Sequence, residues 1–366
     1  MMRVVLAPDS FKGTIAAADA AAALAEGWAS VDSSAEFVHR PMADGGEGTV
    51  AAFAAAVPGA ERVSVVVDGP AGVPVSAHWL LLPPTADAPG GIAVIDLAST
   101  SGIELLDALR PWDADTTGFG QAIVAALEHG VSRLVLGIGS SASNDGGTGM
   151  LTALGARFLD SSGAAVARGA RGLVDIAAVD LSGLRTAPQV RVLTDVTNPL
   201  AGPRGAAAVF GPQKGLASHE IGPVDAALLS LADLLGLDPE LPGAGAAGGT
   251  GGALVAWGAT LAPGAAEVAE LIGLADAIAE ADVVITGEGS FDGQSGDGKV
   301  PSYIAGLATA SGATALLAAG RITADSDTAL FAASASLTTL AGSSDAALAD
   351  PERWLREAGA LLARSV

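Results

Sequence analysis

Three runs of buried-type aliphatic residues, at 4–7, 134–138 and 283–286, are each followed by a loop rich in glycine, serine or acidic residues and then by a helical stretch. That alternation constrains the fold more than any other feature of the chain. Strand–loop–helix units of this kind pack into a parallel sheet with crossover helices, and such sheets bind ligands at the carboxyl ends of their strands. The first unit runs from 4–7 through Asp9-Ser10-Phe11-Lys12-Gly13 into the alanine-rich stretch 16–30. The second runs through 139–149 to a helix ending near Leu154, and the third through 287–298 to a helix from about Pro301. Further strands are predicted at 314–318 and 333–337.

Two stretches depart from this alternation. Residues 62–68 and 75–82, joined by Gly69-Pro70-Ala71-Gly72, predict an antiparallel hairpin, with 92–97 as a third strand. Residues 155–262 are rich in glycine and proline and predict short strands at 191–193 and 207–210. The fold class is therefore α/β: a Rossmann-like parallel-sheet domain (1–60, 105–150 and 265–366) interrupted by a mixed-sheet α/β domain (61–104 and 151–264).

A net charge of -22 argues against binding nucleic acid or anionic membrane. The absence of cysteine excludes disulfides, thiolate nucleophiles and cysteine-bound zinc. Half the residues are hydrophobic but only 4% are aromatic, so the core must be alanine, valine and leucine, and the 49 glycines suit close packing of elements. The apolar part of the first residues is too short for a signal peptide. The uncharged run 300–320 is broken by Pro301, Gly312 and Gly320, so a cytoplasmic protein is expected, as monomer or homodimer.

Only three of the 18 basic residues are lysines, and Lys12, Lys214 and Lys299 each adjoin a glycine. Lysine is a compact cation that commonly binds phosphate, and glycine lets backbone approach a ligand. The loop Gly139-Ser140-Ser141-Ala142-Ser143-Asn144-Asp145-Gly146-Gly147-Thr148-Gly149 would aim N–H groups and hydroxyls at an anion. Its candidate phosphate contacts are Ser141, Asn144, Asp145, Gly146 and Gly147, joined by Lys214, Lys299 and Gly249 of the glycine-rich run 242–252. Asp44, within Ala43-Asp44-Gly45-Gly46-Glu47-Gly48, suits Mg2+, a proton or a substrate hydroxyl. Asp195 follows a strand in Thr194-Asp195-Val196-Thr197-Asn198-Pro199. Residues 293–299 fit the Walker A spacing, but Val300 stands where the metal-binding hydroxyl belongs, so a P-loop fold is rejected.

At these residues the chain resembles the bacterial two-domain glycerate kinase family. The segments 7–14, 41–49, 137–151, 193–215 and 286–299 carry the resemblance, with 242–254 in support. Ser140 stands where glycine is expected and Ser143 where threonine is expected. The resemblance implies ATP, Mg2+ and a glycerate substrate. Lys12 and Asp195 are then the candidate catalytic residues, and Ser10, Gly13, Asp44, Gly45, Gly46 and Asn198 the candidate substrate contacts. Asp44, Glu288 and Asp292 are the candidate Mg2+ ligands. D-glycerate and 2-phosphoglycerate are expected, with 3-phosphoglycerate the alternative. A hydroxy-acid dehydrogenase lacks support because no G-x-G-x-x-G follows the first strand. A non-catalytic hydroxy-acid sensor is the remaining rival.

Overall fold

The computed structural model describes residues 1–11, 13–46, 48–293 and 299–366. In chain order the strands are β1 (Arg3–Pro8), β2 (Glu36–His39), β3 (Glu61–Asp68), β4 (Pro74–Leu82), β5 (Ile92–Asp96), β6 (Arg133–Gly137) and β7 (Arg157–Leu159). They continue with β8 (Ala178–Asp180), β9 (Gln189–Leu193), β10 (Thr260–Ala262), β11 (Val283–Phe291), β12 (Thr314–Ile322) and β13 (Ala333–Ser336). The chain divides into two units, one of Met1–Asp44, Ala51–Pro58 and Pro263–Val366, the other of Gly45–Val50 and Gly59–Ala262.

In the first unit the strand order is β13-β12-β11-β1-β2, with every pairing parallel. Residues 4–8 are all buried, which their unbroken aliphatic run foretells for a strand covered on both faces. The core joins Val4 and Leu6 to Leu24, Trp28, Ile285 and Leu355. Helices Ala17–Ala29 and Pro351–Ala363 approach closely because glycine stands at the contact. A Cβ on Gly27 would lie 1.9 Å from the Arg356 carbonyl oxygen, and one on Gly359 would lie 2.3 Å from that of Leu24. The second of these helices starts where Asp350 accepts the Arg353 N–H and Pro351 fills the first turn. Residues 287–291, expected as loop, continue β11 instead. Pairing with β12 extends the ladder to Phe291 and so carries Glu288 on a strand.

In the second unit the order is β10-β9-β6-β5-β4-β3. The β3–β4 and β4–β5 pairings are antiparallel and the others parallel, and β7 and β8 form a separate two-stranded antiparallel sheet. The predicted hairpin closes as its turn residues suggest, with the Gly72 N–H donating to the Gly69 carbonyl and Gly72 at φ +75°. The core includes Trp79, Ile95, Phe119, Leu134, Met150 and Leu228. Two expectations are corrected here. The stretch 105–150 belongs to this unit, because β6 is hydrogen-bonded between β5 and β9. Residues 207–210, expected as a strand, lie in the helix Ala206–Phe210, started by the Ala206 N–H donating to Leu200.

No helix among the described residues is long and apolar enough to cross a membrane. The uncharged run 300–320 is the helix Val300–Ser311, ended by Gly312 in the left-handed region, followed by β12.

Candidate active site

The loop after β6 lies at the carboxyl end of its sheet. Residues 141–150 are all buried, and at their centre is the Asp145 carboxylate. Its Oδ1 accepts from the Ser143 hydroxyl (2.7 Å) and the Gly147 N–H (2.9 Å). Its Oδ2 accepts from the Thr116 N–H (2.9 Å), the Thr116 hydroxyl (2.8 Å) and the Gly149 N–H (3.2 Å). These donors satisfy the carboxylate, so Asp145 is a strut of the loop and its oxygens do not face a ligand. The sequence expectation that Asp145 contacts phosphate directly is corrected by this burial. N–H groups that looked free to bind an anion already hold the chain's own carboxylate.

Two neighbours clamp this loop. On one side the Ile103 N–H donates to Ser140 and the Ala142 N–H to Ser101. On the other, the Gly146 N–H donates to Gly248 at 3.1 Å, and a Cβ on Gly249 would lie 3.0 Å from the Gly146 Cα. Ser140 and Ala247 are the non-glycine residues with positive φ among the described residues, at 59° and 53°. This explains why glycine suits the Ser140 position. Backbone strain of this kind gathers at functional sites.

Lys214 is also buried, and its Nζ donates to the Ser143 carbonyl at 2.6 Å. Burial pulls its ammonium down to about 8, while the charge of Asp145 acts in the opposite direction. Lys214 thus ties the 211–215 segment to the loop from inside. Asn144 is buried beside it, with Nδ2 donating to the Pro111 carbonyl at 3.1 Å. Ser141 accepts the Ser143 N–H on its hydroxyl oxygen.

The loop after β9 presents Asp195 exposed to solvent. Asn198 anchors it: its carbonyl accepts the Gly243 and Gly245 N–H groups, and its side-chain amide donates to the Arg204 carbonyl. Asn198 therefore shapes the loop with its own polar groups. Gly45 packs on the end of β9, where a Cβ would lie 2.6 Å from Leu193, and its carbonyl accepts the Gly139 N–H. A Cβ on Gly139 would in turn lie 2.5 Å from the Gly46 Cα. The Gly45-Gly46 step thus crosses the ends of β6 and β9.

In the first unit a second set of candidate groups lies on or after β1, β2 and β11. Asp9, which the sequence reading left out of the site, is buried directly after β1 and accepts the Ser10 N–H at 2.6 Å. Its signal was a carboxylate following the first buried strand. Ser10 is half-buried and Gly13 is exposed at φ +70°. Asp44 is half-buried, with Gly264 packed on its backbone. Glu288 lies within β11 and Asp292 directly follows it, and Lys299 precedes the helix Val300–Ser311 as its N-cap. Lys12 lies outside the described residues. Among the described residues, no three Asp, Glu or His groups cluster as a metal cage, so Asp44, Glu288 and Asp292 do not form one by themselves. Their oxygen-only chemistry still fits a hard cation that keeps several waters and phosphate oxygens as ligands.

The family model described as the glycerate kinase family matches residues 4–366. A protein named glycerate 2-kinase from Escherichia coli K12 is 42% identical over 318 residues, 84% of this chain and 82% of its own length. A glycerate kinase from Bacillus subtilis is 41% identical over 337 residues, 89% of this chain and 87% of its own. A crystal structure from Salmonella typhimurium LT2, assigned as glycerate kinase 2, superposes with a TM-score of 0.85 at 38% identity. It covers 99% of this chain and 97% of its own.

Proposed function

The chain belongs to the glycerate kinase family and is a phosphotransferase, and from that premise we propose that it transfers a phosphoryl group from Mg-ATP to the 2-hydroxyl of D-glycerate. The observation that carries the choice of hydroxyl is the 42% identity to the relative named glycerate 2-kinase.

Phosphoryl transfer asks a protein for positioning and charge neutralisation rather than a covalent nucleophile. The acidic groups Asp44, Glu288 and Asp292 would hold Mg2+, which neutralises the ATP phosphates when bound. Lys299 would contribute a cation at a helix start, and Lys12 another beside Gly13. The backbone of the Ser141–Gly147 and Gly249 loops, held rigid by Asp145 and Lys214, supports a nucleotide-facing wall. Ser10, Gly13, Gly45 and Gly46 would contact glycerate. Asp195 is exposed on a loop braced by Asn198, a setting that suits a carboxylate orienting the attacking hydroxyl and taking its proton late.

ADP release should depend on glycerate and Mg-ATP, with no reduction of nicotinamide cofactors, and phosphorus NMR should show 2-phosphoglycerate. No release with either enantiomer would sink the reading, and a 3-phosphoglycerate signal would move the reaction to the other hydroxyl. Asp195→Asn should lower kcat by about a hundredfold with calorimetric ATP affinity intact. Asp44→Asn should instead weaken binding of glycerate or metal. If Asp44→Asn alone loses kcat, the two roles are exchanged.

A further inference from the structure

Arg321 occupies the penultimate position of β12, beside Ser290 of β11 in the parallel register. Its Nε donates to the Ser290 hydroxyl at 2.8 Å. The neighbouring glycines hold the two strands close at this point, since a Cβ on Gly320 would lie 2.3 Å from the Gly289 carbonyl oxygen. Strand alternation puts Ser290 on the same face of β11 as Glu288. Arg321 is solvent-exposed, so its terminal nitrogens are accessible.

The partner of this arginine is a neutral hydroxyl on another strand rather than a carboxylate. The chain carries 40 acidic and 18 basic residues, so an arginine meets a carboxylate easily. Arg3, Arg133, Arg168 and Arg356 each do so. Among the described residues Arg321 forms no ion pair with a carboxylate, and its partner is a neutral hydroxyl. A hydroxyl on Nε orients the guanidinium without cancelling its charge. It leaves both terminal NH2 groups available for the two-point recognition of an oxyanion.

We propose that Arg321, aimed by Ser290, binds a phosphate oxyanion of ATP at the carboxyl end of the first unit's sheet. The shared face with Glu288 favours this source, because phosphate is the anion that a cation and a Mg2+-binding carboxylate hold together. The carboxylate of glycerate offers similar chemistry and is separated from phosphate by the test. The proposal rests on the glycerate kinase reading.

Arg321→Gln, Arg321→Lys and Ser290→Ala are compared with wild type in steady-state kinetics and in calorimetric binding of ATP and of glycerate. Arg321→Gln should weaken ATP binding, or lower kcat/KM for ATP, by about tenfold or more, with an unchanged thermal midpoint. Arg321→Lys should recover part of the loss, and Ser290→Ala should shift the same parameter by a smaller factor. A loss confined to glycerate affinity would overturn the assignment to phosphate. Arg321→Gln kinetics and affinities within about twofold of wild type would overturn the site altogether. ATP binding is measured without turnover, so a wild-type protein that binds ATP but turns over no glycerate defeats the function while Arg321 is still judged.

Discussion

Lys214 shows how a residue can be found for one reason and kept for another. A lysine beside glycine looks the same in sequence whether its amine meets a phosphate or a carbonyl of its own chain. Here it is buried against Ser143, and burial lowers its pKa to about 8 from an ordinary 10.5. The sign of the linkage follows. Below about pH 8 the amine is protonated both folded and unfolded, so the burial penalty is fully present. Between the folded and unfolded values the unfolded chain holds a proton that the folded chain has released, and stability rises with pH. The unfolding free energy of wild type relative to Lys214→Met should therefore grow in wild type's favour from about pH 7.5 to about pH 10, by at most about 3 kcal/mol. Denaturant titrations at several pH values measure it, and a pH-independent difference would remove the buried ammonium. Asp145 was legible as important for the same local reason and misjudged for the same one. An acidic residue in a glycine loop announces a polar network without saying which partner closes it.

Among the elements, helical glycines separate propensity from packing. Replacing glycine by alanine inside a helix gains about 1 kcal/mol from backbone entropy alone. Gly306 in the helix Val300–Ser311 has open space where a Cβ would go, so Gly306→Ala should gain stability on that order. Gly359 faces the Leu24 carbonyl at 2.3 Å from an ideal Cβ, a backbone atom that no rotamer change can move aside. Gly359→Ala should lose about 1–3 kcal/mol as the helix pair is forced apart, so the clash outweighs the propensity. Thermal midpoints of the two variants should move in opposite directions, and a Gly359→Ala midpoint that rises would refute the close approach. Element type itself was legible where length and turn chemistry agreed, as at the β3–β4 hairpin with its Gly-Pro-Ala-Gly turn. It was not legible at Ala206–Phe210, where a short apolar run fits a strand or a helix and the Leu200 carbonyl decides.

At the scale of the whole molecule, the two units differ in how the chain builds them. The first draws on three separate segments, and its strand β1 sits between β2 from the same segment and β11 from beyond the second unit. The second is nearly continuous, with β3 to β10 all inside Gly59–Ala262 and only the short Gly45–Val50 strap supplied from outside. That difference was only half visible in the sequence. The strand–loop–helix of β6 has the same local signature as those of β1 and β11, and nothing within it names β5 and β9 as its partners. Once the pairing is known, the folding consequence is direct. The fragment 59–262 retains the whole six-stranded sheet and the core of Trp79, Phe119, Met150 and Leu228. It loses only the strap that packs on Gly137, Gly139 and Leu193. Expressed alone, it should unfold in one cooperative transition with fixed near-ultraviolet signals from Trp79, Trp112 and Trp257, at a lower midpoint than the full chain. It should release no ADP, because Ser10, Asp44 and Lys299 are absent from it. A fragment with secondary structure but no cooperative melt and strong dye binding would show that the second unit needs the first to order its core.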